Sequence, residues 1–265
     1  MIHWFEHLPI GWMSLVVFAV IYLVAGGIYW LVMALAVGER ARAFKAISPG
    51  MLPPLGIIFG LFVAFMAAQV WGDLDRAHAA VNREASALRA VVLLARSFPG
   101  EPETQLRALV HRQIEDVVLQ EWPAMAGGSA TLTMNPPPLA EALRVSLGLT
   151  PHGDGQVAAQ REIVTAVQNA LDARRQRIIV SQSGVNWVKG TCLLLQAICT
   201  LIAIAMVHSD NRTSAAVAMG LFATGVAVTV VLIVSQQRPF TGEFSVRPDV
   251  LLQVLPEDPT PTLRR

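Results

Sequence analysis

Apolar and polar positions along the chain divide it into four long apolar stretches, set in two pairs, with a mostly polar stretch, residues 72–183, between the pairs. The first pair covers Met13–Val37 and Leu55–Trp71, and the second covers Val185–Val207 and Ser214–Ser235. Each reaches or nearly reaches the ~20 residues that a helix needs to cross a ~30 Å hydrocarbon layer. A soluble domain has no use for four such stretches, so the pattern predicts an all-α polytopic membrane protein. Its parts are two spans in residues 1–71, a helical segment in 72–183, two spans in 184–237 and a C-terminal tail in 238–265.

The middle segment reads as helix throughout. Leu74, Ala77, Val81, Ala85, Leu88 and Val92 recur at spacings of three and four, and Asp73, Arg76, Arg83, Glu84 and Arg89 are read onto the opposite face. Only Gly72 interrupts the run from the second span, so one continuous rod is expected from Leu55 to Ala95, roughly 60 Å at helical rise. Pro99 and Gly100 turn the chain. A helix from Glu101, apolar along Leu106, Leu109, Val110, Ile114 and Val117, is expected to end at Glu121-Trp122-Pro123, where proline cannot continue it. Residues 127–138 read as loop, Pro138–Leu147 as a short helix closed by Gly148, and a final helix starts near Gln156 and runs through Ile178.

Composition fits this architecture: 54% of the 265 residues are hydrophobic. A net charge of +1 and the absence of any long basic run give no reason to propose a nucleic-acid partner. The basic residues set an orientation. Arg76, Arg83, Arg89, Arg174, Arg175, Arg177, Arg238 and Arg247 flank the spans on the side of the middle segment, against Arg40, Arg42, Lys45 and Arg212 on the other. That bias predicts cytoplasmic termini and a cytoplasmic middle segment, although the first short loop taken alone argues the reverse. The first span lacks a basic leader and a small-residue cleavage site, so it is expected to persist in the mature protein.

Enzyme chemistry is not written in the chain. There is no phosphate loop, no serine elbow and no acidic calcium loop, and of the six histidines only His3 and His7 share a four-residue spacing, the others being scattered. His111 and Glu115 read as a helix-surface pair. No catalytic residue, metal ligand or cofactor is assigned. Cys192 and Cys199 lie two helical turns apart on the third span, too far to bridge within one chain. Lys189, near the start of that span, is either a snorkelling lysine or a charge facing a cavity, and Gln196 is expected to hydrogen-bond between helices. Gly26, Gly27, Gly220 and Gly225 read as close-packing positions. Arg174, Arg175 and Arg177 read either as a basic collar for lipid headgroups or, with Lys189, as an electropositive lining that attracts anions.

Several short motifs carry a resemblance. Val81, Glu84-Ala85 and Leu88 follow the second span; Leu106-Arg107 and Glu121-Trp122-Pro123 come next; the arginine cluster precedes the third span; Arg238-Pro239-Phe240 and Gly242-Glu243-Phe244 follow the fourth. In this order and spacing the chain resembles, over essentially its whole length, the bacterial bestrophin-like membrane family, and more distantly bestrophins themselves. For the distant link, Pro54, Gly60, Val63 and Trp71 fall at the spacing of the bestrophin pore helix. The acidic calcium-binding cluster of bestrophins is missing, since only Glu243 follows the tail motif, and calcium gating is not carried over.

The resemblance implies a homo-oligomer in the bacterial inner membrane, with a pentamer favoured, whose second spans surround a pore for a small anion such as chloride. It maps a hydrophobic neck onto Pro53, Ile57, Leu61 and Phe65, where apolar rings gate by dewetting. Phe59, Phe62 and Met66 offer a second apolar stripe on the same span that could line the axis instead. The alternative reading is a non-conducting scaffold or signalling protein that binds a partner through its cytoplasmic helices. The partners assigned are the lipid bilayer, further copies of itself and the permeant small anion.

Overall fold

A computed structural model of the chain describes residues 10–37, 43–44, 49–132, 136–183, 187–242 and 245–255. Among these residues every regular element is helical: α1 (Ile10–Leu35), α2 (Leu52–Ala95), α3 (Glu101–Asp116), α4 (Trp122–Ala126), α5 (Pro137–Leu147), α6 (Asp154–Ser181), α7 (Trp187–Val207), α8 (Arg212–Ser235) and α9 (Asp249–Leu252). Arg40, Arg42, Lys45, His3, His7, Val185, Glu243 and Phe244 lie outside the described residues. Among the described residues four helices are long and apolar enough to cross a membrane: α1, α2 with the turn before it, α7 and α8. The chain divides into two compact units, and the division falls inside α2, between Gly72 and Asp73. Gly72 does not end the helix, because one interior glycine costs only about 1 kcal/mol.

The first unit holds α1, the first part of α2, α7 and α8. α1 packs against both α7 and α8, and α7 against α8. Ile21, Ala25, Phe59, Met66, Leu193, Ala197, Met219, Ala223 and Ala227 form its core. Close approach is supplied by alanines: a Cβ on Gly26, Gly27, Gly220 or Gly225 would meet nothing within 4 Å, which corrects the expectation that these glycines mark the helix contacts. Tyr22 and Thr224 join α1 to α8 by a 2.8 Å hydrogen bond. Asn211 caps α8, its Oδ1 accepting from the amides of Thr213 and Ser214 at 3.1 Å. Most of the apolar surface of the spans is not covered by the chain itself, as lipid-facing helices require.

The second unit holds the rest of α2, helices α3 to α6, Arg238–Thr241, and α9 with its flanking residues. Ala77, Val81, Leu88, Leu106, Val110, Ile114, Leu139, Ile163, Val167, Ile178 and Phe240 share one core. Gln160 ties α6 to the end of α5 by donating to the carbonyls of Ser146 and Leu149, both at 3.0 Å. Gly100 turns the chain with φ 98°, a value that suits glycine. Gly148 closes α5 in the ordinary right-handed region, so its glycine is not required for backbone reasons.

Two readings are corrected here. The helix after Glu101 does not stop at Pro123. Residues Val117–Glu121 form one wide π turn in which the Trp122 amide donates to the Val117 carbonyl, and α4 follows without a break. The wide turn opens space ahead of the pyrrolidine ring, which would otherwise press on the preceding turn. Nor does Glu84 lie on the polar face of α2: it is fully buried, and Asp73 is nearly so. Glu84 sits three residues after Val81 and four before Leu88, inside the apolar row.

Candidate functional site

In the first unit the two apolar stripes of α2 have separate roles. Phe59, Met66 and Val70 are buried, and the Phe59 ring lies 5.2 Å from Phe222 of α8. Ile57, Leu61 and Phe65 point away from the chain and are 70%, 57% and 67% exposed; Pro53 is exposed as well. Packing within one chain therefore accounts for the first stripe and not for the second. Pro53 and Pro54 fall in the first turn of α2, where a missing amide hydrogen costs no helical bond.

One turn beyond Phe65, Gln69 accepts a 2.5 Å hydrogen bond from the Lys189 ammonium of α7. Gln69 carries no charge, so Lys189 is held in place but not neutralised. Gln196, deeper in α7, has a buried Nε2 without a partner among the described residues, so the interhelical bond expected of it is not made by that atom there. Cys192 and Cys199 are free and exposed.

In the second unit the arginine cluster is not a surface feature. Arg174 and Arg177 are buried, and only Arg175 faces outward. Arg177 donates from Nε and Nη2 to the two Glu84 oxygens at 2.7 and 3.2 Å, and from Nη2 to Glu121 Oε2 at 2.7 Å. Arg174 donates from Nε to the other Glu121 oxygen at 2.6 Å. Two guanidinium groups thus meet two carboxylates. Burial weighs most against the Arg177 charge, yet Glu84 and Glu121 together hold its pKa above the ordinary arginine value. The Arg177 guanidinium also lies 5.4 Å from the centre of the Trp122 ring, and Trp122 meets Phe240 edge-on at 5.4 Å.

Four motifs scattered through the sequence therefore come together: Glu84 of α2, Glu121-Trp122 of the π turn and α4, Arg174 and Arg177 of α6, and Phe240 after the fourth span. The collar and lining readings need correction for Arg174 and Arg177, whose charges are spent on Glu84 and Glu121. Spacing held the signal, since both arginines fall three or four residues after Ala170 and Ala173 on the buried face of α6, whereas Arg175 falls off it. Among the described residues no group of three or more His, Cys, Asp or Glu is arranged to hold a metal ion. His111 and Glu115 form a partly exposed 3.4 Å pair.

A family model for the Bestrophin-like domain matches residues 19–251. The chain belongs to the Bestrophin-like family. Its fold is also similar to that of a solved crystal structure of a membrane protein, with a TM-score of 0.67 at 12% identity, covering 90% of this chain and 96% of the other. Nothing among curated proteins matches it. In this Bestrophin-like chain the buried arginine cluster joins the family-type motifs, while the exposed stripe of α2 and Lys189 remain available for function.

Proposed function

We propose that this Bestrophin-like protein is a homo-oligomeric channel, most simply a pentamer, in which α2 of each subunit faces a central pore conducting a small anion such as chloride. The observation that carries the reading is the division of α2 into a packed stripe, Phe59 and Met66, and an outward stripe, Ile57, Leu61 and Phe65. Repeated around an axis, Pro53, Ile57, Leu61 and Phe65 form stacked apolar rings that gate by dewetting. Lys189 and Arg175 supply the attraction for anions; the hydrogen-bond partner of Lys189 is the neutral Gln69, one turn from Phe65. The helical unit between the second and third spans lies in the cytoplasm of a bacterium, as the excess of arginines beside it favours, and the spans lie in the inner membrane. Chloride flux into liposomes carrying the parent protein and its neck variants tests this reading.

The scaffold alternative is favoured by a groove of about 530 Å³ in the second unit, whose walls include Arg83, Glu162, Asn169, Asp172 and Gln176. Its mixed polar and apolar walls, with Ala87, Leu94 and Ala166 beside the polar residues, suit a protein partner, and an intact oligomer with no flux in any variant would select this reading.

A further inference from the structure

The groove of about 530 Å³ in the second unit runs between the later part of α2 and α6. The two helices are antiparallel there: Glu84 pairs with Arg177 towards one end, and Gln156 Nε2 donates to the Ser97 carbonyl at 2.7 Å towards the other. Buried or half-buried small residues make its floor, Ala87 and Ala90 from α2 and Ala166 and Ala173 from α6. Glu162 and Asp172 rise from the α6 side. Both are exposed, and neither carboxylate has a partner among the described residues. Arg83, the cation of the lining, is already held by the Gln176 side-chain oxygen and the Ala79 carbonyl. The groove therefore presents two unpaired negative charges on either side of an apolar floor.

The same unit carries the opposite relief. Arg89 and Leu93 of α2 are followed by Arg96 in the turn after it, where the Ser97 amide donates to the Leu94 carbonyl at 3.0 Å and keeps the helical winding. These residues fall at i, i+4 and i+7, the spacing of anchors along one helix face. All three are exposed, Leu93 to 53%, and neither arginine has a side-chain partner among the described residues. A lone exposed leucine is ordinary, but this one stands between two unpaired cations. Arg89 and Leu93 each precede a residue of the groove, Ala90 and Leu94, and one step along a helix is a rotation of about 100°. The ridge thus projects from the wall of its own groove and cannot fold back into it.

Ridge and groove match in order and in scale. One reads basic, apolar, basic over about 10 Å of helix; the other reads acidic, apolar, acidic over about 15 Å, and the long arginine side chains cover the difference. We propose that the groove receives the Arg89, Leu93 and Arg96 ridge of a second copy of this chain, with Leu93 over Ala87, Ala90 and Ala166 and the arginines facing Glu162 and Asp172. Because ridge and groove are different surfaces of one chain, the contact is head-to-tail, and such a contact repeated around an axis closes a ring. The inference rests on the homo-oligomer reading above and names the surfaces through which the middle units of neighbouring subunits meet.

Cross-linking between differently tagged full-length copies tests it. Leu93→Cys and Asn169→Cys proteins, each with Cys192 and Cys199 replaced by alanine, are co-expressed and treated in mild detergent with a short bismaleimide. The two sites lie on separate chains, so a link between the tags reports a contact between copies. The mixed pair is expected to cross-link, and either protein expressed alone is not. Adding Arg89→Glu and Arg96→Glu to the Leu93→Cys protein should lower the yield roughly tenfold, since like charges then meet across the contact. Adding Glu162→Lys and Asp172→Lys to the Asn169→Cys protein as well should restore it. Native mass spectrometry of the parent separates this inference from the reading beneath it. An oligomeric parent whose mixed pair fails to link, links equally well after ridge reversal alone, or is matched by Leu93→Cys linking to itself would overturn the head-to-tail contact and leave the oligomer standing. A monomeric parent would overturn both.

Discussion

Arg177 donates two hydrogen bonds to Glu84, at 2.7 and 3.2 Å, and neither side chain is exposed to solvent. The pair joins α2 to α6, two helices distant in sequence, through fully desolvated charges. Removing one member leaves the other charged and uncompensated, which typically costs about 3–5 kcal/mol. Glu84→Ala and Arg177→Ala should therefore each lower the thermal unfolding midpoint markedly, measured by circular dichroism in detergent. Replacing both charges with apolar residues, Glu84→Leu with Arg177→Met, should be more stable than Arg177→Met alone. A double variant no better than that single would show that the pair is not coupled as described.

Phe240 should behave as part of the same cluster. It is buried against the edge of Trp122, and truncation of a buried aromatic costs roughly 3–5 kcal/mol. Phe240→Ala is expected to loosen the C-terminal segment, so that limited proteolysis cleaves after Ser235 sooner than in the parent. Unchanged cleavage kinetics would contradict this.

Lys189 tests the electrostatic part of the channel reading. Its charge is held by a neutral amide, so Lys189→Gln removes attraction without leaving a buried ion unpaired. Chloride flux should fall roughly two- to tenfold at low salt, with a smaller fall at high salt where screening is shorter-ranged. Flux insensitive to this change at both salt concentrations would remove Lys189 from the pathway.

The proposed cytoplasmic placement of the middle unit predicts that a cysteine at exposed Ser129, in a background with Cys192 and Cys199 replaced by alanine, resists a membrane-impermeant reagent applied to intact cells. Ready labelling from outside would invert the orientation.

Much of the architecture was legible in the sequence because apolar runs and three-and-four spacing are direct consequences of helix geometry. Pro99 and Gly100 mark one boundary through turn chemistry, whereas the Asn211 cap that starts α8 two residues before Ser214 was not read. What escaped was the tertiary override of local chemistry. Glu84, Arg174 and Arg177 read as polar surface by residue type, yet each occupies a buried register position, and only the pairing of helices remote in sequence makes that burial tolerable. Pro123 read as a stop because a standard helix cannot pass it, and the wide turn before it is not visible in the residue pattern. The two apolar stripes of α2 were indistinguishable by composition; contact with Phe222 separates them.

The proposed neck rests on assembly as well as on sequence. Native mass spectrometry after mild extraction should show a closed homo-oligomer, with five subunits expected. A strictly monomeric species would leave the outward stripe of α2 facing lipid.

Chloride flux into liposomes carrying Ile57→Ala or Leu61→Ala protein tests the central claim most directly. Each substitution is repeated in every subunit, so one truncated side chain widens the neck all round and eases its wetting. Both variants are predicted to assemble as the parent does and to pass chloride roughly two- to tenfold faster, whereas Phe59→Ala, on the packed stripe, should impair expression and stability instead. Flux at the protein-free background in both neck variants, with the oligomer intact, would contradict the account.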